Sequence, residues 1–404
     1  MSLKSLLLLA LAATIIICSA RPATAQAQTA ASAQAASSTA AATPAKQVRT
    51  VFVIPLENRN WTQPASDDEA PPQLLGNPNA PFINSLVSGT SSLSRQVAYA
   101  SAYHNVLATP SGNNPHVHPS LPSYLWSEGG KHFDVFNDNS PFLSRGRGVH
   151  QGTKDHLASY LNRAGLSWKS YQEDIDTDAD GKVLPRDQWT VPLDKRLGVY
   201  STGVPYSYAP KHNPQVYFDD VNGGPGSGEG NPKDPTAVAH FAPIQQLQTD
   251  LAKNAVARYN WITPNQYNEM HSEPPNGYKG LTGPAATVRQ GDDYLAVLIP
   301  QIMASEAYRS GGLIIIWVDE TEGENRDDFS HTLPEIIISP LAHPNVAGKP
   351  YTNHINYTHS SDLRTMREIF QVGPWLGDAA NTPDLSDLFA PGAIPAGLPE
   401  PKKP

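Results

Sequence analysis

The chain has almost no cysteine: of 404 residues only Cys18 carries a thiol. No intrachain disulfide can form, so the fold must rest on a hydrophobic core and not on the staples that hold small exported modules. Blocks of like charge are missing too. Lys and Arg total 29 against 38 Asp and Glu, and the formal charge of −9 is spread without long runs. Without clustered basic residues there is no footprint for sequence-blind binding to a phosphate backbone, so nucleic acid is not expected as a structural partner. A mild acidic excess serves solubility. No repeat of fixed period occurs, and the longest apolar run, 6–18, is too short to span a bilayer comfortably. What is present is apolar material: 39% of residues are hydrophobic and 17% charged. That is enough for one large α/β domain or two smaller ones.

The 6–18 run follows Lys4 and precedes Ala23-Thr24-Ala25, a small-x-small site ahead of Gln26. This is the layout of an export signal over 1–25, which predicts a secreted or periplasmic protein with no stable membrane span after cleavage. A retained anchor and a lipid attached at Cys18 are the alternatives, and Ile17 stands against the second, where a small residue is wanted. Residues 26–47 are mostly Ala, Ser, Thr and Gln with Lys46 the sole charge, and read as a disordered linker. The folded domain is expected over 48–389, followed by a flexible tail over 390–404.

Short apolar runs at 50–56, 166–171, 259–262, 313–318 and 335–338 read as buried strands. Helical spacing occurs at 155–164, 237–257, 292–308 and 360–370, the last with Ser360 or Ser361 as its cap. Strands alternating with helices predict a mainly parallel central sheet covered on both faces, with ligands beyond the carboxyl ends of its strands. The Gly-, Pro-, Asp- and Tyr-rich stretch 174–230 reads as an irregular insert over the site, a lid or substrate-shaping element.

The chemistry-bearing residues sit at those strand ends. Glu57 and Asn58 close the first run, and Asp319 and Glu320 close the fourth; these are hard oxygen donors suited to a divalent cation. Adjacent acids after a buried strand are costly unless something positive neutralises them, although a turn exposed to water would also serve. Ser120 precedes a helical segment at 121–126, where free amides and the dipole favour a phosphate. A metal at its oxygen makes it a nucleophile, and capping the helix is the plainer role. Of the 13 histidines, His118, His212, His271, His354 and His359 have polar or Pro neighbours. Asp176, Asp178, Asp180 and Asp187 match calcium-loop spacing, with Pro185 inside it and a short acid at the twelfth position, which leaves a structural Ca²⁺ and an ordinary Asp-rich turn both open.

Taken together, these stretches resemble the secreted phosphoesterase family of acid phosphatases and bacterial phospholipases C, of alkaline-phosphatase-like fold. The resemblance runs through residues 54–58, 118–122, 168–171, 211–214, 264–271, 291–292, 317–320, 338–340 and 359–360. It implies a divalent metal (Ca, Mg, Mn, Fe or Zn) bound by Glu57, Asn58, Ser120, Asp319 and Glu320, with Ser120 as nucleophile. His118, His212, His271 and His359 would surround the phosphate or leaving group, or supply ligands to a second ion. The family's usual Asn is Ser123 here, its usual Asp is Glu269, and Thr321 stands where Gly is common. The implied substrate is a small phosphomonoester, with a phosphodiesterase or phospholipase C as the enzyme alternative. A catalytically weak surface protein that binds ligands through the aromatics Trp189, Tyr200, Tyr206 and Tyr208 is the alternative of another class.

Overall fold

A computed structural model describes residues 46–67, 71–106, 117–141, 149–175, 208–224, 234–322 and 328–397. Residues 45–404 form one compact unit. The expected signal and nearly all of the expected linker lie outside the described residues. So do Asp176, Asp178, Asp180, Asp187, Trp189, Tyr200 and Tyr206.

The strands among the described residues are β1 (Thr50–Leu56), β2 (Val97–Tyr103), β3 (Trp168–Gln172), β4 (Phe241–Pro243), β5 (Tyr259–Thr263), β6 (Gly312–Val318), β7 (Leu333–Ile338) and β8 (Tyr351–Asn353). They form one sheet in the order β4-β3-β5-β1-β6-β7-β2-β8. Every residue of β1 and β6 is buried, as their unbroken apolar sequences require of strands covered on both faces. Only β7 runs against its neighbours, antiparallel to both β6 and β2, so the sheet is mixed but mostly parallel. The flanking helices are α1 (Pro81–Ser88), α2 (Ser120–Gly129), α3 (Leu157–Arg163), α4 (Pro235–His240), α5 (Ile244–Ala252), α6 (Gly283–Met303), α7 (Glu306–Arg309) and α8 (His359–Phe370). The α/β architecture is the one expected, flanked by helices in the alkaline-phosphatase-like manner.

Several elements depart from the sequence reading. The helix expected over 237–257 is two helices with β4 between them. Pro243 has no amide to donate and holds the residue before it extended, so the chain pairs with β3 before helix resumes. The helix expected over 292–308 starts at Gly283 and breaks at Ser305, whose hydroxyl accepts from the Tyr308 amide to open α7. The cap of α8 is Thr358 and not Ser360 or Ser361, with the Thr358 amide donating to Ser361 Oγ at 3.2 Å. The segment expected to be a tail is anchored at its start. Val48 N–H donates to the Ala393 carbonyl at 2.9 Å, because Ala393 and Ile394 bury against the core. The described part of the 174–230 insert is likewise interior: at 208–224, Val216, Tyr217, Phe218 and Val221 are fully buried.

Parallel pairing aligns the strand ends that matter. Leu56 lies opposite Val318, so β1 and β6 release Glu57 and Asp319 side by side. On the other flank of β1, β5 releases the loop that carries Glu269 and His271.

Candidate active site

The Glu57 carboxylate is fully buried and divides its two oxygens between two groups. Oε1 accepts from Tyr124 Oη at 2.5 Å and lies 3.1 Å from His212 Nε2. Oε2 accepts from Ser120 Oγ at 3.2 Å. The Asn58 side-chain amide closes this second group. Turned one way, its nitrogen donates to Glu57 Oε2 at 3.0 Å and Asp319 Oδ1 at 3.1 Å; turned the other, its oxygen joins two carboxylate oxygens about one point. The second orientation is the geometry of oxygen donors around a cation.

Ser120 is the first helical residue of α2, and its hydroxyl does not cap the helix. It reaches instead into the carboxylates, 3.2 Å from Glu57 Oε2 and 3.2 Å from Glu320 Oε1, with Lys211 Nζ donating to it at 3.3 Å. His118 Nδ1 stands 2.6 Å from the other Glu320 oxygen. Lys211 and His212 come from a short 3-10 turn, Pro210–His212, packed beside α2.

His212 is enclosed by carboxylates. Its Nδ1 is 2.8 Å from Glu269 Oε1 and its Nε2 is 3.1 Å from Glu57 Oε1, yet neither contact has hydrogen-bond geometry. Among the described residues, both Glu269 oxygens and Asp319 Oδ2 are buried without a donor. Close approach without directional bonding is how ligand atoms stand when aimed at a shared ion. Glu57, His212 and Glu269 offer ligand atoms all within 4.8 Å of one another. Electrostatics agree. Burial, reinforced by Asp319, pushes the Glu57 carboxyl well up, and burial does the same to Glu269 and Asp319. Burial next to Lys211 pushes His212 well down and His271 down to about 3. A crowd of desolvated carboxylates around a neutral imidazole fits a divalent cation.

The remaining predicted residues fall in different places. His271 neighbours His212, with ring centroids 5.8 Å apart, and its Nδ1 lies 3.2 Å from Ser272 Oγ. His359 does not face Ser120. Its Nδ1 takes the Trp317 indole at 3.1 Å and lies 2.8 Å from Tyr103 Oη, while Nε2 donates to the Asp319 carbonyl at 2.5 Å. Fully buried and bonded on both nitrogens, it positions the Asp319 main chain instead of touching a phosphate. Ser123, in the place of an Asn, turns back to the Val117 carbonyl at 3.3 Å. Sequence reading missed Glu269 as a ligand candidate, and gave no role to Lys211, Asp138, Tyr124 or Arg59. Arg59, buried beside the site, donates to the Met270 carbonyl at 2.9 Å and pairs with Glu322 at 3.0 Å. The signals available were the adjacency of Lys211 to His212 and the places of Lys211 and Glu269 in the stretches 211–214 and 264–271 that carry the family resemblance.

A family model described as the phosphoesterase family matches residues 91–373. The chain belongs to this phosphoesterase family. The match takes in Ser120, Lys211, His212, Glu269, Asp319 and Glu320, while Glu57 and Asn58 precede it. The chain is similar to a phosphatidylinositol-3-phosphatase of Mycobacterium tuberculosis, 24% identical over 316 residues and covering 78% of each protein. It is also similar to a phosphate-repressible acid phosphatase of Penicillium chrysogenum, 22% identical over 252 residues, which are 62% of this chain and 48% of that one. A solved alkaline phosphatase superfamily protein of Vibrio parahaemolyticus superposes with a TM-score of 0.43 at 10% identity, over 85% of this chain and 72% of that one. Family membership and the buried Glu57–His212–Glu269 cluster support a metal-dependent hydrolase of phosphoric esters.

Proposed function

We propose that this protein is an exported phosphatase that hydrolyses phosphomonoesters through Ser120 and a phosphoseryl intermediate. One observation carries the reading: the Ser120 oxygen stands at the first turn of α2 between two carboxylates and an ammonium, all within 3.3 Å. The curated relatives, a phosphatidylinositol-3-phosphatase and an acid phosphatase by name, favour a phosphatase reading. Export rests on the signal-like residues 1–25.

Glu57, Asn58, Asp319 and Glu320, or Glu57, His212 and Glu269, would hold a divalent ion, which would supply positive charge for the phosphoryl oxygens and for Ser120. Ser120 Oγ bonds to phosphorus as the bond from phosphorus to the ester oxygen breaks. Its hydroxyl proton passes to Glu320, 3.2 Å away and backed by His118. The alcohol leaves with a proton from solvent. Water then attacks the phosphoserine from the side the alcohol vacated, releasing phosphate and returning Ser120, so two inversions give net retention.

The test is nitrophenyl phosphate hydrolysis by the mature chain, with and without chelator and single re-added ions. Turnover lost to chelator and restored by one ion, together with at least ~10³-fold loss in Ser120→Ala, is the expected result. Wild-type turnover in a folded Ser120→Ala protein refutes the nucleophile. Much faster cleavage of bis-nitrophenyl phosphate or phosphatidylcholine moves the assignment to a diesterase or phospholipase C.

A further inference from the structure

We propose that Lys211 is a further catalytic residue, binding a non-bridging phosphoryl oxygen while it offsets charge on Ser120, and that the Asp138 carboxylate keeps the phosphoryl group's place until substrate arrives. This rests on the reading of Ser120 as nucleophile. Lys211 is 5% exposed, on the turn that also carries His212. An ammonium so buried is costly unless strongly neutralised. Its Nζ donates to Ser120 Oγ at 3.3 Å and to Asp138 Oδ2 at 2.8 Å. The other Asp138 oxygen accepts the Leu121 amide at 3.1 Å, in the first turn of α2.

One carboxylate therefore spans a buried ammonium that also donates to the nucleophile and the amide of the residue that follows the nucleophile. These are the donors that an anionic group bonded to Ser120 would use. Glu57 and Glu320, each 3.2 Å from Ser120 Oγ, oppose negative charge there, and Lys211 opposes them. Asp138 is the removable member. Its side chain is 31% exposed against 6% for Lys211, so it can turn to water when a phosphoryl dianion takes its two donors. A merely structural salt bridge has no need to reach the serine.

The experiment measures nitrophenyl phosphate kinetics, inhibition by inorganic phosphate, metal content and melting temperature for wild type, Ser120→Ala, Lys211→Met, Lys211→Arg and Asp138→Asn. In Lys211→Met, kcat/KM is expected to fall by about 10²–10³ with metal content unchanged and phosphate inhibition weakened, and Lys211→Arg recovers part of the loss. In Asp138→Asn, phosphate is expected to bind several-fold more tightly. Lys211→Met within ~3-fold of wild type in both kcat/KM and phosphate inhibition overturns the proposal. Unchanged or weaker phosphate binding in Asp138→Asn does so too, and this arm decides the matter if Lys211→Met fails to fold. An active Ser120→Ala protein brings down the nucleophile reading instead, which separates the two failures.

Discussion

Two fully buried histidines each lie between two acids, and they behave oppositely. His156 has Nδ1 3.4 Å from Glu128 and Nε2 2.9 Å from Asp220. His212 has Nδ1 2.8 Å from Glu269 and Nε2 3.1 Å from Glu57. Burial lowers both, but for His156 the hydrogen bonds to Asp220 and Glu128 outweigh it and leave the ring raised. For His212 nothing outweighs burial, and Lys211 and His271 depress the ring further. Both His156 contacts are true hydrogen bonds, whereas the His212 contacts are close without being directional. The first arrangement is complete as it stands: a charged clamp joining α2, through Glu128, to α3 and to the 208–224 segment. The second has the donor set of a site for a divalent cation. Two histidines with the same kind of neighbours differ because one set of acids is aimed at the ring and the other is aimed past it.

Removing each ring should separate the roles, and the larger effect belongs to the site. His212→Ala is expected to lose bound metal and more than about 10²-fold in kcat/KM, beyond what outer-shell partners of a metal typically contribute, with little change in the melting temperature of chelated protein. Asp319→Ala should likewise lower metal stoichiometry. Metal content measured on the purified variants checks both, and full loading of His212→Ala would make the comparison collapse into two structural clamps.

His156→Ala should do the reverse. It leaves Glu128, fully buried, without the imidazole, and breaking such a pair costs about 3 kcal/mol. Denaturant unfolding should report that loss while metal content holds and kcat/KM of the folded fraction stays within ~3-fold. The clamp also holds Gln215, whose side-chain amide donates to Glu128 at 2.7 Å, so any residual effect on turnover should travel through the turn bearing Lys211 and His212.

How far the sequence discloses this contrast follows from what each residue type announces. Strands β1 and β6 are unbroken apolar runs, and the acids that end them declare the site without a structure. Strand β2 is masked because Ala98, Ala100 and Ser101 dilute its pattern, and β4 and β8, at three residues each, have no period to read. Glu269 is hidden for another reason: it lies in a loop after β5 whose path depends on tertiary contact, with Met270 at φ +74° and its carbonyl held by Arg59. His359 misleads because a buried histidine beside serines reads alike whether it faces substrate or, as here, a main-chain carbonyl.

Gly291 sharpens the comparison from outside the site. Its Cα faces Met270 so closely that an added Cβ would stand 2.4 Å from Met270 Cγ and 3.0 Å from the Asn268 carbonyl. Gly291→Ala should therefore push on the 268–270 loop and shift Glu269 away from His212, at about 1–3 kcal/mol of overpacking. The expected signature is weakened metal binding with the His156 clamp intact. Unchanged metal affinity would show that the loop yields at Met270, a flexible side chain, and leaves Glu269 in place.

The smallest effect is a dependence on pH that only the clamp should carry. His156 is raised, so its contribution to stability is complete below the unfolded value of about 6.5 and fades as pH climbs through the folded value above it. Asp220 is lowered, its hydrogen bond from His156 outweighing burial, so its share is complete above about 4 and fades as pH falls. The pair is thus worth most between about pH 4 and 6.5, and above that the slope cannot exceed about 1.4 kcal/mol per pH unit for one proton. The difference in unfolding free energy between wild type and His156→Gln, followed in chelator from pH 5.5 to 9, should be largest at the acid end and shrink upward. A flat difference would mean that the ring titrates alike folded and unfolded, and a difference that instead grows upward from the acid end would mean that His156 is neutral in the folded protein. Its two acids would then be held by the same kind of uncharged ring that stands between Glu57 and Glu269.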